Sequence, residues 1–205
     1  IITASFKAHK IDAEWKDARE LIRTDSGFTN AQVDFVTTNK LINEHFQKAE
    51  HKLTIIPGFI AADKNNSTTT LGRGGSDYTA AIIASALSVQ RLEIWTDVSG
   101  MMTADPRIVP NACKVKEISF DEASELAYFG AKVLHPLTVL PAVEKNIPVY
   151  ILNSKKPAGT GTRITREASP CRNLIKSIAC KRGITIVTVS SSRMLMASGF
   201  LRALF

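Results

Sequence analysis

Residues 67–98 read STTTLGRGGSDYTAAIIASALSVQRLEIWTDV. Gly72, Gly74 and Gly75 surround Arg73, a helix of small residues follows, and a short apolar strand then stops at Thr96-Asp97. Glycine lets a ligand approach the backbone closely, and the amides at a helix start favour an anion. Arg73 offers a planar fork for a carboxylate or phosphate, and Asp77, in the first turn of the helix, could accept from an ammonium. The pair suggests a ligand that carries a negative and a positive charge at once. The plainer alternative makes Asp77 a helix N-cap and Arg73 a surface side chain, and it leaves the glycines idle. The stretch is not a P-loop, which needs Gly-Lys-Ser/Thr, and it lacks the last glycine of the dinucleotide fingerprint.

Outward from this stretch the pattern alternates. Residues 33–49, VDFVTTNKLINEHFQKA, carry Phe35, Leu41, Ile42 and Phe46 at helical spacing. LTIIPGFIA (53–61) reads as a strand ending in Pro57-Gly58, and IPVYILN (147–153) as a buried strand. SFDEASELAYFGAKVL (119–134) opens as a helix with a capping box of Ser119 and Glu122, and HPLTVLPAVEKN (135–146) continues as a further helix. Strand, helix, strand, helix, strand predicts an α/β fold with a mostly parallel sheet covered by helices. In such sheets ligands sit beyond the carboxyl ends of the strands. The loops after Ile60, Val98 and Asn153 are therefore the expected site.

Composition excludes some classes. With 205 residues and 44% hydrophobic content the chain can bury a sizeable core. No apolar run reaches the roughly 18 residues of a membrane span, so no membrane partner is expected. Cys113, Cys171 and Cys180 are odd in number and widely spaced, which fits reduced thiols and a cytoplasmic setting. His9, His45, His51 and His135 share no metal-ligand spacing with cysteine or acid, so no protein-built metal site is expected. The net charge of +7 raises a nucleic-acid partner. Its densest run, residues 155–182, sets eight Lys and Arg against Glu167 alone and holds no aromatic for base stacking. It reads as a solvated connector, and no nucleic acid is expected.

Ile1–His9 reads as the tail of a helix whose start is missing, and residues 199–205 as a helix cut short, so the chain is expected to be a piece of a longer protein. A composition break at 154–173 precedes β-rich sequence and a helix start, the expected beginning of a second domain.

TTTLGRGGSDYTAA, IWTDVSG, TADPR, FGAKVLHP and ILNSKKPAGTGT, in this order, resemble the second half of an aspartokinase of the amino acid kinase superfamily. The resemblance covers nearly the whole chain. It implies a three-layer αβα kinase fold, incomplete at the N-terminus, over residues 1–156, a linker at 157–173, and the first strand and helix start of an ACT regulatory domain at 174–205. It implies ATP-dependent phosphorylation of the β-carboxylate of L-aspartate, with Mg²⁺ alongside ATP and held largely by its phosphates. Arg73 would hold the substrate carboxylate and Asp77 its ammonium, as the two residues of catalytic importance. Gly74, Gly75 and Ser76 would complete the loop, and Phe59 would line the pocket. Thr96, Asp97, Met102, Arg107, Lys132 and Val133 would bind ATP; Met102 stands where many relatives carry an aromatic residue. Met194, Ala197 and Leu201 would face an amino-acid effector, lysine or threonine. Ala197, where lysine-inhibited relatives often have serine, would weaken lysine sensitivity. An assembly of identical subunits is expected. The family's Lys-Phe-Gly-Gly-Thr motif is not in these residues, so the chain alone is expected to be inactive. His135 is expected to be structural. The rivals are another amino acid kinase, a basic nucleic-acid-binding protein, and an inert regulatory ligand-binder.

Overall fold

The computed structural model describes residues 1–128, 135, 138–168, 175–180, 183–185 and 188. The chain begins with α1 (Ile2–Ala8), β1 (Ala13–Trp15), α2 (Ala18–Leu21), α3 (Phe35–Gln47), β2 (Leu53–Ile55) and β3 (Ile60–Ala62). Next come β4 (Thr68–Thr70), α4 (Gly75–Leu87), β5 (Leu92–Thr96), β6 (Glu117–Ser119) and α5 (Phe120–Tyr128). It continues through α6 (Leu140–Glu144), β7 (Val149–Asn153) and β8 (Thr162–Thr165).

β5, β7, β8 and β6 form a four-stranded sheet in that order. β5 runs parallel to β7 and β6 parallel to β8, while β7 and β8 are antiparallel, so the sheet is mixed. That corrects the expectation of a mostly parallel sheet. The cause is β8: residues 157–173 read as a connector, yet Thr162 and Ile164 are fully buried and turn back against β7. Polar composition around a four-residue strand masks its two inward side chains. β1 and β2 form a parallel pair and β3 and β4 an antiparallel hairpin.

LTIIPGFIA is two strands rather than one. Pro57 has no amide to give a ladder, and Phe59 takes a left-handed φ of 79°, so pairing breaks between β2 and β3. The loop that matters therefore lies before Ile60, not after it. β6, whose central Ile118 is 1% exposed, escaped the sequence reading because the capping box follows it directly. The box itself is present: the Ser119 amide donates to Glu122 Oε2 at 2.8 Å, and the Glu122 amide to Ser119 Oγ at 3.2 Å.

α4 stands between two cores. Ala81 and Ala84 pack with Ile94, Val149, Ile151 and Ile164, and Ile82 packs with Leu21, Ile22, Ile42 and Leu71. A helix apolar on both sides is a buried helix, and alanines keep its neighbours close. Each fully buried Ile or Val contributes about 1.5–3 kcal/mol. α3 buries Thr38 and Ile42, while Phe35, placed on the buried side by periodicity, is 40% exposed. α6 is shorter than expected, because Pro141 sets its first turn and Asn146, at φ 57°, follows its end. No described helix is long and apolar enough to cross a membrane.

Candidate active site

The glycine loop ends in a tight fit. Gly74 is the N-cap of α4 at φ +72°, and no side chain caps the helix, so Asp77 sits inside the first turn rather than at the cap. A Cβ on Gly75 would lie 2.7 Å from Phe59 Cδ2. The Phe59 ring thus lies over the start of α4. A phenylalanine at positive φ is strained by about 1–3 kcal/mol. Two hydrogen bonds hold it there: its amide donates to Thr79 Oγ1 at 3.0 Å, and its carbonyl accepts from the Leu71 amide at 3.0 Å. Thr79 Oγ1 in turn donates to the Gly75 carbonyl at 2.8 Å, tying the Phe59 loop to the first turn of α4.

Arg73 is exposed and Asp77 half-buried. Among the described residues no ion pair or side-chain hydrogen bond engages either one. Burial pushes the Asp77 carboxyl above its ordinary range, with no neighbouring cation among the described residues to offset it. A half-buried acid in the first turn of α4 and an exposed arginine on the glycine loop thus carry opposite charges without a described partner.

The second region lies at the carboxyl ends of β5 and β7, where Thr96 is the register partner of Asn153. Ser154 donates through both its amide (2.8 Å) and its Oγ (3.0 Å) to the Thr96 carbonyl, and Asn153 Nδ2 donates to Ser99 Oγ at 3.0 Å. The loops after Val98 and Asn153 are therefore stitched together. Thr96 Oγ1 donates to Asp97 Oδ1 at 3.3 Å. Beyond them a pocket of about 550 Å³ opens, lined by loop residues between Val98 and Arg107, by Leu126 of α5 and by Ser177–Cys180. Met102 and Arg107 line it, whereas Thr96 and Asp97 do not. Nor does any residue of the Arg73–Asp77 loop.

The Arg107 guanidinium does not project freely. It grips Asp105 through Nε (3.0 and 3.2 Å) and Nη2 (2.7 Å), with its side chain 89% exposed. That contact, with a hydrogen bond from the Arg107 amide, holds the Asp105 carboxyl down at about 2.

The model of the amino acid kinase family matches residues 1–153. The chain belongs to that family. Within it the similarity is to aspartokinases. Lysine-sensitive aspartokinase 3 of Escherichia coli (strain K12) is 43% identical over 196 residues, covering 95% of this chain and 43% of that protein. The structure of E. coli aspartokinase III in complex with aspartate and ADP (R-state) superposes with a TM-score of 0.74 at 44% identity, covering 82% of this chain and 38% of that one. The same enzyme in complex with lysine and aspartate (T-state) gives 0.73 at 46%, covering 79% and 37%. The chain thus spans about two fifths of the length of these relatives.

For this amino acid kinase chain the structure brings Phe59, Gly74, Gly75 and Ser76 to the start of α4 with Arg73 and Asp77, and Met102 with Arg107 at the pocket. Lys132, Val133, Met194, Ala197 and Leu201 lie outside the described residues. His135 is exposed, and its carbonyl accepts from Thr138 N (3.0 Å) and Oγ1 (2.6 Å), a structural turn before α6. Sequence reasoning missed Thr79, Thr138 and Ser177–Cys180. Thr79, two residues after Asp77, is a hydroxyl-bearing residue in a mostly apolar helix, a weak signal in the sequence.

Proposed function

We propose that this chain is the C-terminal part of the kinase domain of an aspartate kinase, which transfers the γ-phosphoryl group of ATP to the β-carboxylate of L-aspartate. The carrying observation is the pair Arg73 and Asp77, opposite in charge and without described partners on a loop held rigid at α4. Arg73 takes the α-carboxylate, Asp77 takes the ammonium, and the β-carboxylate is left to point away as the nucleophile. The nucleotide lies along the β5 edge, with Thr96 and Asp97 at the strand end, Met102 against the base and Arg107 on the phosphates. Arg107 reaches them by exchanging or sharing its Asp105 contact. Phosphoryl transfer needs positioning and charge neutralisation more than covalent help. Both are what these side chains supply.

No group of three metal-ligating His, Cys, Asp or Glu occurs among the described residues. The donor set here does not form a protein cage for Mg²⁺, which would be carried by the ATP phosphates. Residues 1–156 are assigned to the kinase domain, 157–173 to the linker (with β8 docked back on the kinase sheet) and 174–205 to the start of an ACT domain. Through it lysine or threonine would act, in an assembly of identical subunits. The complex of E. coli aspartokinase III with lysine supports lysine as the effector.

The test uses the full-length protein and measures ADP release. Aspartate supports turnover, while β-alanine, lacking the α-carboxylate, and succinate, lacking the ammonium, are rejected by about 30-fold or more, since a charged group left without its partner in the closed complex costs roughly 2–5 kcal/mol. Equal use of all three would remove the roles given to Arg73 and Asp77.

A further inference from the structure

We infer that Lys176–Cys180 is part of the nucleotide site, as a strap that positions the Met102 loop and forms the pocket wall facing the base of bound ATP. This rests on the nucleotide reading of residues 96–107. The strap is tied at three successive residues. Lys176 Nζ pairs with Glu122 Oε2 at 2.8 Å, the Ser177 Oγ donates to the Met102 carbonyl at 2.7 Å, and the Ile178 amide donates to the Thr103 carbonyl at 2.9 Å. Lys176 is only 17% exposed at its side chain, so this contact is better shielded than an ordinary surface pair. Glu122 is also the capping-box acid of α5, so one carboxylate anchors both the helix start and the strap.

The rest of the pocket explains what the strap is for. Thr103 is held on its other side by Cys113, whose carbonyl accepts the Thr103 amide at 2.8 Å. Met102 therefore sits in a loop pinned on both flanks, and two of the pins come from the strap. Ile178, Ala179 and Cys180 line the pocket together with Met102 and Leu126, giving apolar walls with Arg107 among the polar lining groups. Apolar walls with a few placed polar groups are the usual design of a small-molecule site, and about 550 Å³ falls within the usual size. Ile178 is 62% exposed, an apolar surface that a flat heteroaromatic base would cover. Ser177 and Lys176 are thus positioning residues, and Ile178 and Cys180 are wall residues.

Cys180 supplies a direct readout. It is exposed and lines the pocket, whereas Cys113 is exposed and does not. Full-length protein is treated with N-ethylmaleimide, with and without MgADP at ten times its calorimetric Kd, and alkylation is followed by peptide mass spectrometry. Cys180 labelling is expected to slow by about tenfold, as mass action dictates, while Cys113 keeps its rate and aspartate alone protects neither. ADP that binds by calorimetry yet leaves Cys180 equally reactive overturns the strap and spares the nucleotide reading. ADP that does not bind overturns both. In parallel, Ser177→Ala is expected to raise the KM for ATP about 3–10-fold, the worth of one hydrogen bond, with the KM for aspartate unmoved. Ser177→Thr, which keeps the hydroxyl, is expected to restore it. An unchanged KM for ATP in Ser177→Ala removes the positioning role.

Discussion

A Cβ placed on Gly74 would lie 2.6 Å from Thr138 Cγ2, so the turn that leads into α6 closes directly on the cap of α4. Gly74 also holds φ at +72°. Gly74→Ala meets both penalties, and the backbone strain alone is worth about 1–3 kcal/mol. The expected result is lower stability in chemical denaturation and a raised KM for aspartate, because the Arg73 loop must shift. Thr138→Ser removes the offending methyl and keeps the hydroxyl that donates to His135. In the double variant part of the loss should return, and a double-mutant cycle measures how much. Strict additivity would mean that the two residues do not meet.

On the proposed reading Asp77 sets function against stability. Its folded pKa is raised by burial above the unfolded value of 3.8. A group raised in this way favours the folded state at low pH, and that contribution is lost as pH rises through the folded pKa. At pH 7 the charged Asp77 therefore weighs against folding. Asp77→Asn is expected to raise the melting temperature at pH 7, and the gain should shrink as pH falls toward 4. The same variant should lose aspartate recognition, with kcat/KM down by roughly 30-fold or more for a lost charge partner. A destabilised Asp77→Asn protein at pH 7 would show that Asp77 is paired in solution.

The parts of this fold that sequence made legible are those with strong local chemistry. The Ser119–Glu122 capping box, the alanine-rich α4 and the apolar strands β5 and β7 announce themselves, because each depends on residues close in the chain. β8 did not, since its two buried residues, Thr162 and Ile164, are meaningful only against β7 and Val115, far away in sequence. Phe59 was placed in the substrate pocket by resemblance, but its left-handed φ comes from Thr79 and Leu71, which no local pattern reveals. The strap at 176–180 looked like one more basic stretch. Lys176 pairs with Glu122, and Arg163 with Glu117 at 3.4 Å, so part of that charge is spent inside the fold.

Arg107 offers a separation of binding from folding. Its bidentate contact with Asp105 is solvent-exposed, and exposed pairs contribute little to stability. Arg107→Ala should leave the denaturation midpoint essentially unchanged while raising the KM for ATP, with the KM for aspartate held. Asp105 responds to pH in the opposite sense to Asp77. Its pKa falls from 3.8 to about 2, so whatever the contact contributes is present above pH 3.8 and fades as pH drops toward 2. Any stability difference between wild type and Arg107→Ala should therefore be small at neutral pH, because the pair is exposed, and should vanish as pH falls toward 2. A large one would mean that the arginine braces the loop instead of serving a phosphate.

Thr162 is where the sheet meets the Met101–Met102 loop. Its Oγ1 accepts from the Met101 amide at 2.8 Å and donates to the Val115 carbonyl at 2.6 Å, and the residue is fully buried. Valine has nearly the same shape but no hydroxyl. Thr162→Val strips a partner from one buried amide and one buried carbonyl, each worth about 1–3 kcal/mol when left unsatisfied. The direct bond from the Val115 amide to the Met101 carbonyl, 2.8 Å, survives, so the loop should loosen without unfolding. The expected outcome is a clear stability loss together with a raised KM for ATP, because Met102 follows Met101 directly into the pocket. Aspartate binding, proposed at the start of α4, should be spared. Thr162→Ser keeps the hydroxyl and gives up only a methyl, so it should hold the wild-type KM for ATP with a smaller stability loss. Equal rises in both KM values in Thr162→Val would show that the Met101–Met102 loop serves the whole active site and not the nucleotide.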